Sequence, residues 1–137
     1  MELAKMVVDK MINNDAFSKW LGIEVIEITK GFCKLKMTIR EEMTNGFGIA
    51  HGGISYSLAD SALAFAANSD GIQSLSIETT ISHIKKVETG DILIATTKEI
   101  NKEEKYANYS ISITNQKNIE VAQFEGKVYK TKNKWTV

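Results

Sequence analysis

The sequence predicts an α+β domain, an antiparallel sheet of about five to six strands wrapped around one central helix. Three observations carry this. Residues 52–69 form a long helical run that is apolar or small on nearly every side, as in a helix enclosed by protein. Runs of alternating apolar and polar residues, the period of a strand, occur twice before that helix and about four times after it. The links between the later runs are short, which pairs neighbouring strands antiparallel.

The chain opens on an amphipathic helix, with Leu3, Met6, Val7, Lys10 and Met11 at helical spacing. Asn13-Asn14-Asp15 ends it, and Ala16–Leu21 supports a further helical turn. Gly22–Thr29 alternates through Ile23 and Val25, and Phe32–Arg40 through Leu35, Met37 and Ile39; Lys30-Gly31 between them is a hairpin signal. Glu41–Gly48 is a polar loop. The central helix is rich in Ala and Leu, lacks a β-branched run, and stops at Asn68-Ser69-Asp70-Gly71. Gln73–His83 then alternates Leu75, Ile77, Thr79 and Ile81 against Ser74, Ser76, Glu78 and Thr80. Ile92–Asn101, Tyr106–Asn115 and Ile119–Lys132 complete the sheet as a meander, turning at Gln116-Lys117-Asn118. Lys127, Lys130, Lys132 and Lys134 read as a solvated edge strand and tail, since lysine blunts an exposed edge.

Composition bounds the function. Residues 1–137 fit one domain, and 43% hydrophobic with 25% charged residues lies in the globular range, so no part need be disordered. Seventeen basic against seventeen acidic residues leave no field to capture nucleic acid. No apolar run reaches the roughly 18 residues of a membrane span, and the N-terminus carries charges throughout, unlike a signal peptide. The single cysteine, Cys33, offers no intrachain disulfide and reads as packing in a strand; a reducing, cytoplasmic location is expected. No metal is expected, because neither His51 nor His83 falls in a ligand spacing with Cys or Asp.

Chemistry concentrates between Asn45 and Ser69, where Asp60 is the one formal charge and His51 the one imidazole. His51-Gly52-Gly53 opens the central helix, where the first N–H groups lack internal partners and the helix dipole adds positive character. Such N–H groups can polarise a carbonyl or hold an oxyanion, or the pair can simply make a tight turn. Asp60 is either a reacting carboxylate or an acceptor of hydrogen bonds from Ser57, Ser61 or a nearby loop. It lies eight residues beyond Gly52, roughly 12 Å along the axis, so one helix cannot bring both to one carbonyl. A second copy of the helix running antiparallel could, which makes the functional reading a homodimer with two composite sites. Asn45, in an Asn-Gly turn, either shapes the loop or orients a water.

The run Asn45-Gly46-Phe47-Gly48-Ile49-Ala50-His51-Gly52-Gly53, followed by Leu58-Ala59-Asp60, resembles the signature of hotdog-fold acyl-CoA thioesterases, nearest to the PaaI-type (phenylacetic acid degradation) group. Ser76-Ile77-Glu78-Thr79-Thr80-Ile81 and Thr89-Gly90-Asp91 extend the match. The resemblance implies that Asp60 acts as general base or nucleophile, and that the Gly52 N–H polarises the thioester carbonyl. It implies that Asn45 and Ser76 position the water, and that His51 shapes the loop or contacts the carbonyl region. Asn45 and Gly52 would come from one subunit and Asp60 and Ser76 from its partner, in a dimer or a dimer of dimers. Gly53, Phe47 and Tyr56 are expected near the acyl group, and Lys85 and Lys86 near the phosphates of coenzyme A. No cofactor is expected, coenzyme A being part of the substrate. A dehydratase or hydratase acting on acyl thioesters and a non-catalytic acyl-CoA-binding module are the alternatives. Thiol release from an acyl-CoA separates hydrolysis from both.

Overall fold

The computed structural model describes residues 2–137. Helix α1 spans Leu3–Asn13 and α2 spans Ala16–Leu21. Asp15 caps α2 by accepting the Ser18 N–H at 2.9 Å, and Gly22 closes it in the left-handed region at φ 76°. Strands β1 (Glu24–Thr29) and β2 (Phe32–Thr38) form the expected hairpin. The long helix α3 covers Gly52–Asn68. It is followed by β3 (Ile72–His83), β4 (Ile92–Lys102), β5 (Tyr106–Thr114) and β6 (Glu120–Lys134).

All six strands join one antiparallel sheet in the order β1-β2-β4-β5-β6-β3. The meander β4-β5-β6 is present. Strand β3, although next in the chain after α3, crosses to the far edge and pairs with β6. Helix α3 packs against β2 through β6, with Leu58, Ala59, Ala62 and Leu63 fully buried. This explains its apolar character on nearly all sides: the sheet takes one face and α1 and α2 cover another.

Leu63 of the helix packs tightly over Gly126 on β6, where a Cβ would lie 2.5 Å from Leu63 Cδ2. Real Cβ atoms do not come so near, so any side chain at this position would force Leu63 to shift. Gly126→Ala is expected to cost about 1–3 kcal/mol through overpacking, read as a lower urea midpoint. An unchanged midpoint would mean that α3 shifts freely.

Two expectations need correction. The alternation on β3 does not persist, because a β-bulge interrupts the pairing between Ser76 and Glu78. Beyond it Thr79 and Ile81 oppose Gly126 and Phe124; before it Ser74 and Ser76 oppose Lys130 and Val128. Since Phe124, Gly126, Val128 and Lys130 share the buried face of β6, the bulge puts Ser74 and Ser76 on the helix side with Thr79 and Ile81. Leu75 and Ile77 are left 67% and 54% exposed on the edge strand.

Strand β6 is also interior, not an edge, and Lys130 is buried. Its Nζ pairs with Asp70 Oδ2 at 3.1 Å and donates to Ala67 O and Ser74 Oγ at 3.0 and 2.9 Å. A lysine can be buried there because its ammonium is fully partnered.

Candidate active site

The loop before α3 is held from several sides. Ala50 N–H donates to Val87 O at 2.7 Å, and His51 N–H to Met43 O at 2.8 Å. Asn45 N–H donates to Ile49 O, while its side-chain Oδ1 accepts the Phe47 N–H at 2.9 Å. The Asn45 carbonyl oxygen is thus spent on an Asx turn, and its amide NH₂ has no partner among the described residues.

His51 is the N-cap of α3, and its Nδ1 accepts the Gly53 N–H at 3.3 Å. That bond requires Nδ1 to be unprotonated, so in the neutral ring Nε2 carries the hydrogen. It also separates the two glycines. Gly53 N–H is engaged, whereas Gly52 N–H has no partner among the described residues. Gly52 borders a cleft of about 260 Å³ that Asn45, His83, Lys85 and Lys86 also line. A Cβ on Gly52 would lie 3.2 Å from His83 Nε2, so the missing side chain lets that imidazole close over the helix start.

Asp60 lies further along α3, in a second cleft of about 290 Å³ shared with Ser76, Ala64, Asn68, Met11 and Trp135. The two clefts have no lining residue in common. Asp60 is half-buried, and neither suggested donor reaches it. Ser57 Oγ donates to Gly53 O at 2.7 Å, and Ser61 Oγ shares a hydrogen bond of 2.8 Å with Ser18 Oγ. No side-chain hydrogen bond ties the Asp60 carboxylate to any of the described residues. Burial raises its pKa above the ordinary carboxylate range, and the charge of Asp15 adds to the rise. A desolvated carboxylate without donors is a stronger base than one in water, and its lone pairs remain available.

The other expected residues separate. Phe47 is 89% exposed on the loop. Tyr56 turns from both clefts: its hydroxyl bonds Thr79 Oγ1 and its ring meets Phe124 edge-on at 5.3 Å. Cys33 is fully buried and its thiol is pushed up to about 12 by desolvation, so it is not a nucleophile. Among the described residues no cluster of His, Cys, Asp and Glu could hold a metal ion, and no helix is long and apolar enough to cross a membrane.

Met11 comes from the N-terminal helix, which the sequence reading set beside the acyl pocket, whereas His83, Asn68 and Trp135 were missed as cleft residues. His83 carried one usable signal, as the only other histidine. Asn68 and Trp135 are brought in by tertiary contacts.

Comparison with known proteins identifies the family. The profile of the Thioesterase superfamily matches residues 47–122. The chain is 38% identical over 120 residues to acyl-coenzyme A thioesterase PaaI of Escherichia coli, covering 88% of this chain and 86% of that one. The crystal structure of the E. coli PaaI protein from the phenylacetic acid degradation operon superimposes with a TM-score of 0.94 at 36% identity, over 97% of this chain and 96% of that chain. The TT0310 protein of Thermus thermophilus gives a TM-score of 0.83 at 29% identity, over 86% and 99% of the respective chains. The chain belongs to the thioesterase superfamily, as a hotdog-fold thioester hydrolase of the PaaI type.

Proposed function

We propose that this protein hydrolyses acyl-CoA thioesters at a centre assembled from two copies of the chain. One observation carries the reading. Helix α3 bears a free N–H at Gly52 and an unbonded, desolvated carboxylate at Asp60, in separate clefts roughly 12 Å apart along its axis. Each is half of what acyl transfer needs, and an antiparallel partner helix supplies the other half. The exposed edge strand β3, with Leu75 and Ile77 facing outward, is the surface on which a partner would pair.

In this reading the thioester carbonyl oxygen accepts the Gly52 N–H. Asp60 of the other copy takes a proton from water as the water oxygen attacks the carbonyl carbon, or attacks that carbon itself. In the first route negative charge develops on the carbonyl oxygen at the helix start, where the N–H and dipole stabilise it. Collapse breaks the C–S bond and the proton returns to the leaving thiolate, giving free acid and coenzyme A. In the second route an Asp60 oxygen bonds the carbonyl carbon as the C–S bond breaks and coenzyme A leaves as thiolate. Water then opens the resulting anhydride, freeing the acid, restoring the Asp60 carboxylate and giving its proton to the thiolate. The free amide of Asn45 and the hydroxyl of Ser76, each lining one of the two clefts, would orient the attacking water. The His51 ring holds Gly53 through Nδ1 and would shape the loop at the carbonyl site. Lys85 and Lys86, on the rim of the Gly52 cleft, suit the phosphates of coenzyme A. Gly53 contributes through the close approach its missing side chain permits. Phe47, exposed on the loop before the helix, would meet the substrate from that side, whereas Tyr56 would support the wall through Thr79 and Phe124 without touching it.

The test is thiol release over a panel of acyl-CoAs, together with a complementation experiment. Asn45→Ala and Asp60→Asn chains should each be nearly inactive alone. Mixed after denaturation and refolding together, they should recover part of the wild-type rate, because hybrid dimers contain one intact composite site. No recovery would refute the two-chain centre, and no thiol release by wild type would refute the activity. Light scattering should give a dimer or a dimer of dimers; a stable monomer with full activity would also refute the shared site.

A further inference from the structure

We propose that Trp135 closes the far end of the Asp60 cleft and sets the length of the acyl group that the enzyme accepts. The proposal rests on the reading of Asp60 as the reacting carboxylate. Asp60, Ala64 and Asn68 recur every four residues on α3, so they lie along one helix face and line the cleft from end to end. The tight turn after Asn68 sends β3 back along the helix, and Ser76 therefore stands toward the Asp60 end and Ser74 toward the Asn68 end.

The Asn68 end is built rigidly. Asn68 Oδ1 accepts the Ser74 N–H at 2.8 Å and its Nδ2 donates to Ser74 O at 3.1 Å. Trp135 Nε1 donates to the same Asn68 Oδ1 at 2.8 Å, and its backbone N–H donates to Gly71 O at 2.8 Å. Lys10 Nζ holds the following carbonyl, Thr136 O, at 2.6 Å and so ties the tail to α1. The indole is thereby fixed in position and orientation, with its polar edge satisfied and its ring surface left to line the cleft.

Between the two ends the walls are apolar or small, from Met11, Leu63, Ala64 and Val128. An acyl chain that leaves its thioester carbon at Asp60 has this corridor as its apolar path, and the indole ends it. A dry cavity of about 150 Å³ holds one benzene ring. The cleft of about 290 Å³ therefore offers room for a medium-length chain or a single arylacyl group. Each methylene buried before the indole is met should raise kcat/KM by about fourfold, after which the gain stops.

The experiment measures kcat/KM along the straight-chain series from acetyl- to palmitoyl-CoA, with phenylacetyl-CoA included, for wild type, Trp135→Ala, Trp135→Phe and Ala64→Met. Trp135→Ala should move the optimum to longer chains, improving the longest acyl groups relative to acetyl by tenfold or more. Ala64→Met should fill the corridor midway and move the optimum to shorter chains. Trp135→Phe, which keeps a ring but loses the bond to Asn68, should broaden the cut-off and does not depend on the smaller side chain folding well. The same chain-length order should appear in the affinities of S-alkyl-CoA thioethers, which bind without being hydrolysed. Variants that change every substrate by the same factor would overturn the proposal. If wild type discriminates the thioethers by length but releases no thiol from any acyl-CoA, the hydrolytic reading fails and the length gauge stands. If wild type hydrolyses acyl-CoAs and the variants leave the optimum in place, the gauge alone fails.

Discussion

Asp60→Asn is expected to lower kcat/KM for acyl-CoA hydrolysis by about 10²–10⁴-fold while raising the thermal midpoint. The loss follows from removing the only carboxylate in either cleft. The gain follows from the same geometry. The Asp60 carboxylate is half-buried and accepts no hydrogen bond from the described residues, and burial, then the charge of Asp15, raises its folded-state pKa. Above the unfolded-state pKa of about 3.9 the folded chain then holds more protons than the unfolded one. Stability therefore falls as pH rises from there through the raised folded value, and at neutral pH the whole penalty is present. Asparagine matches the shape without the charge and removes it. The stabilisation should shrink in mild acid, where wild-type Asp60 is itself protonated. The kcat/KM profile of wild type should show an acidic limb above the ordinary carboxylate range. Calorimetry of both proteins at neutral and mildly acidic pH checks the first part. A variant melting lower than wild type at neutral pH would contradict this account of Asp60.

Asp70→Ala should act in the opposite direction on stability and leave the reacting groups in place. Asp70 Oδ2 receives Lys102 Nζ at 2.8 Å and Lys130 Nζ at 3.1 Å, and Oδ1 accepts the Ile72 N–H at 3.0 Å. The side chains of Lys130 and Asp70 are only 4% and 8% exposed. Burial alone would raise the Asp70 pKa. The hydrogen bonds from Lys102, Ile72 and Lys130, with the Lys130 charge, instead hold it below the usual carboxylate range. Its contribution to stability is therefore complete above the unfolded-state pKa and is lost as pH falls through the folded value. Removing the carboxylate strands the Lys130 ammonium inside the protein, which costs about 3–5 kcal/mol. For a chain of this size that is a fall in thermal midpoint of roughly 10 °C or more. Adding Lys130→Met to Asp70→Ala should recover part of the loss by removing the stranded charge. A single variant within about 0.5 kcal/mol of wild type would show that Lys130 finds water or another partner.

These two aspartates show how far local pattern carries. Both are acidic residues at or just beyond the central helix, and their neighbours in sequence reveal part of one role and little of the other. Asp60 stood out because the run around it is otherwise uncharged, and its distance from Gly52 followed from the rise of a helix. Asp70 looked like part of a stop signal, and it is also the anchor of a buried ion pair with Lys130, sixty residues away. Lys130 itself sat in a lysine series that reads as solvated, because alternation reports which residues share a face and not what that face meets.

The element boundaries, the burial of α3 and the HGG…Asp60 spacing were legible in the chain because each depends on periodicity and capping over a few residues. The strand order was not, since the crossover that puts β3 beside β6 is a long-range choice of partner. The bulge between Ser76 and Glu78 was not either, because one unpaired residue has no compositional mark, yet it turns Ser74 and Ser76 to the side of α3 that carries Asp60. The sequence of residues 45–60 thus specifies the glycine helix start, the carboxylate of Asp60 and the distance between them. Folding settles their surroundings: His83 over Gly52, Ser76 beside Asp60, and Trp135 at the end of the cleft. The division has one physical cause. Helix geometry is dictated by neighbours along the chain, whereas the walls of a cleft are dictated by which distant surfaces can be buried together.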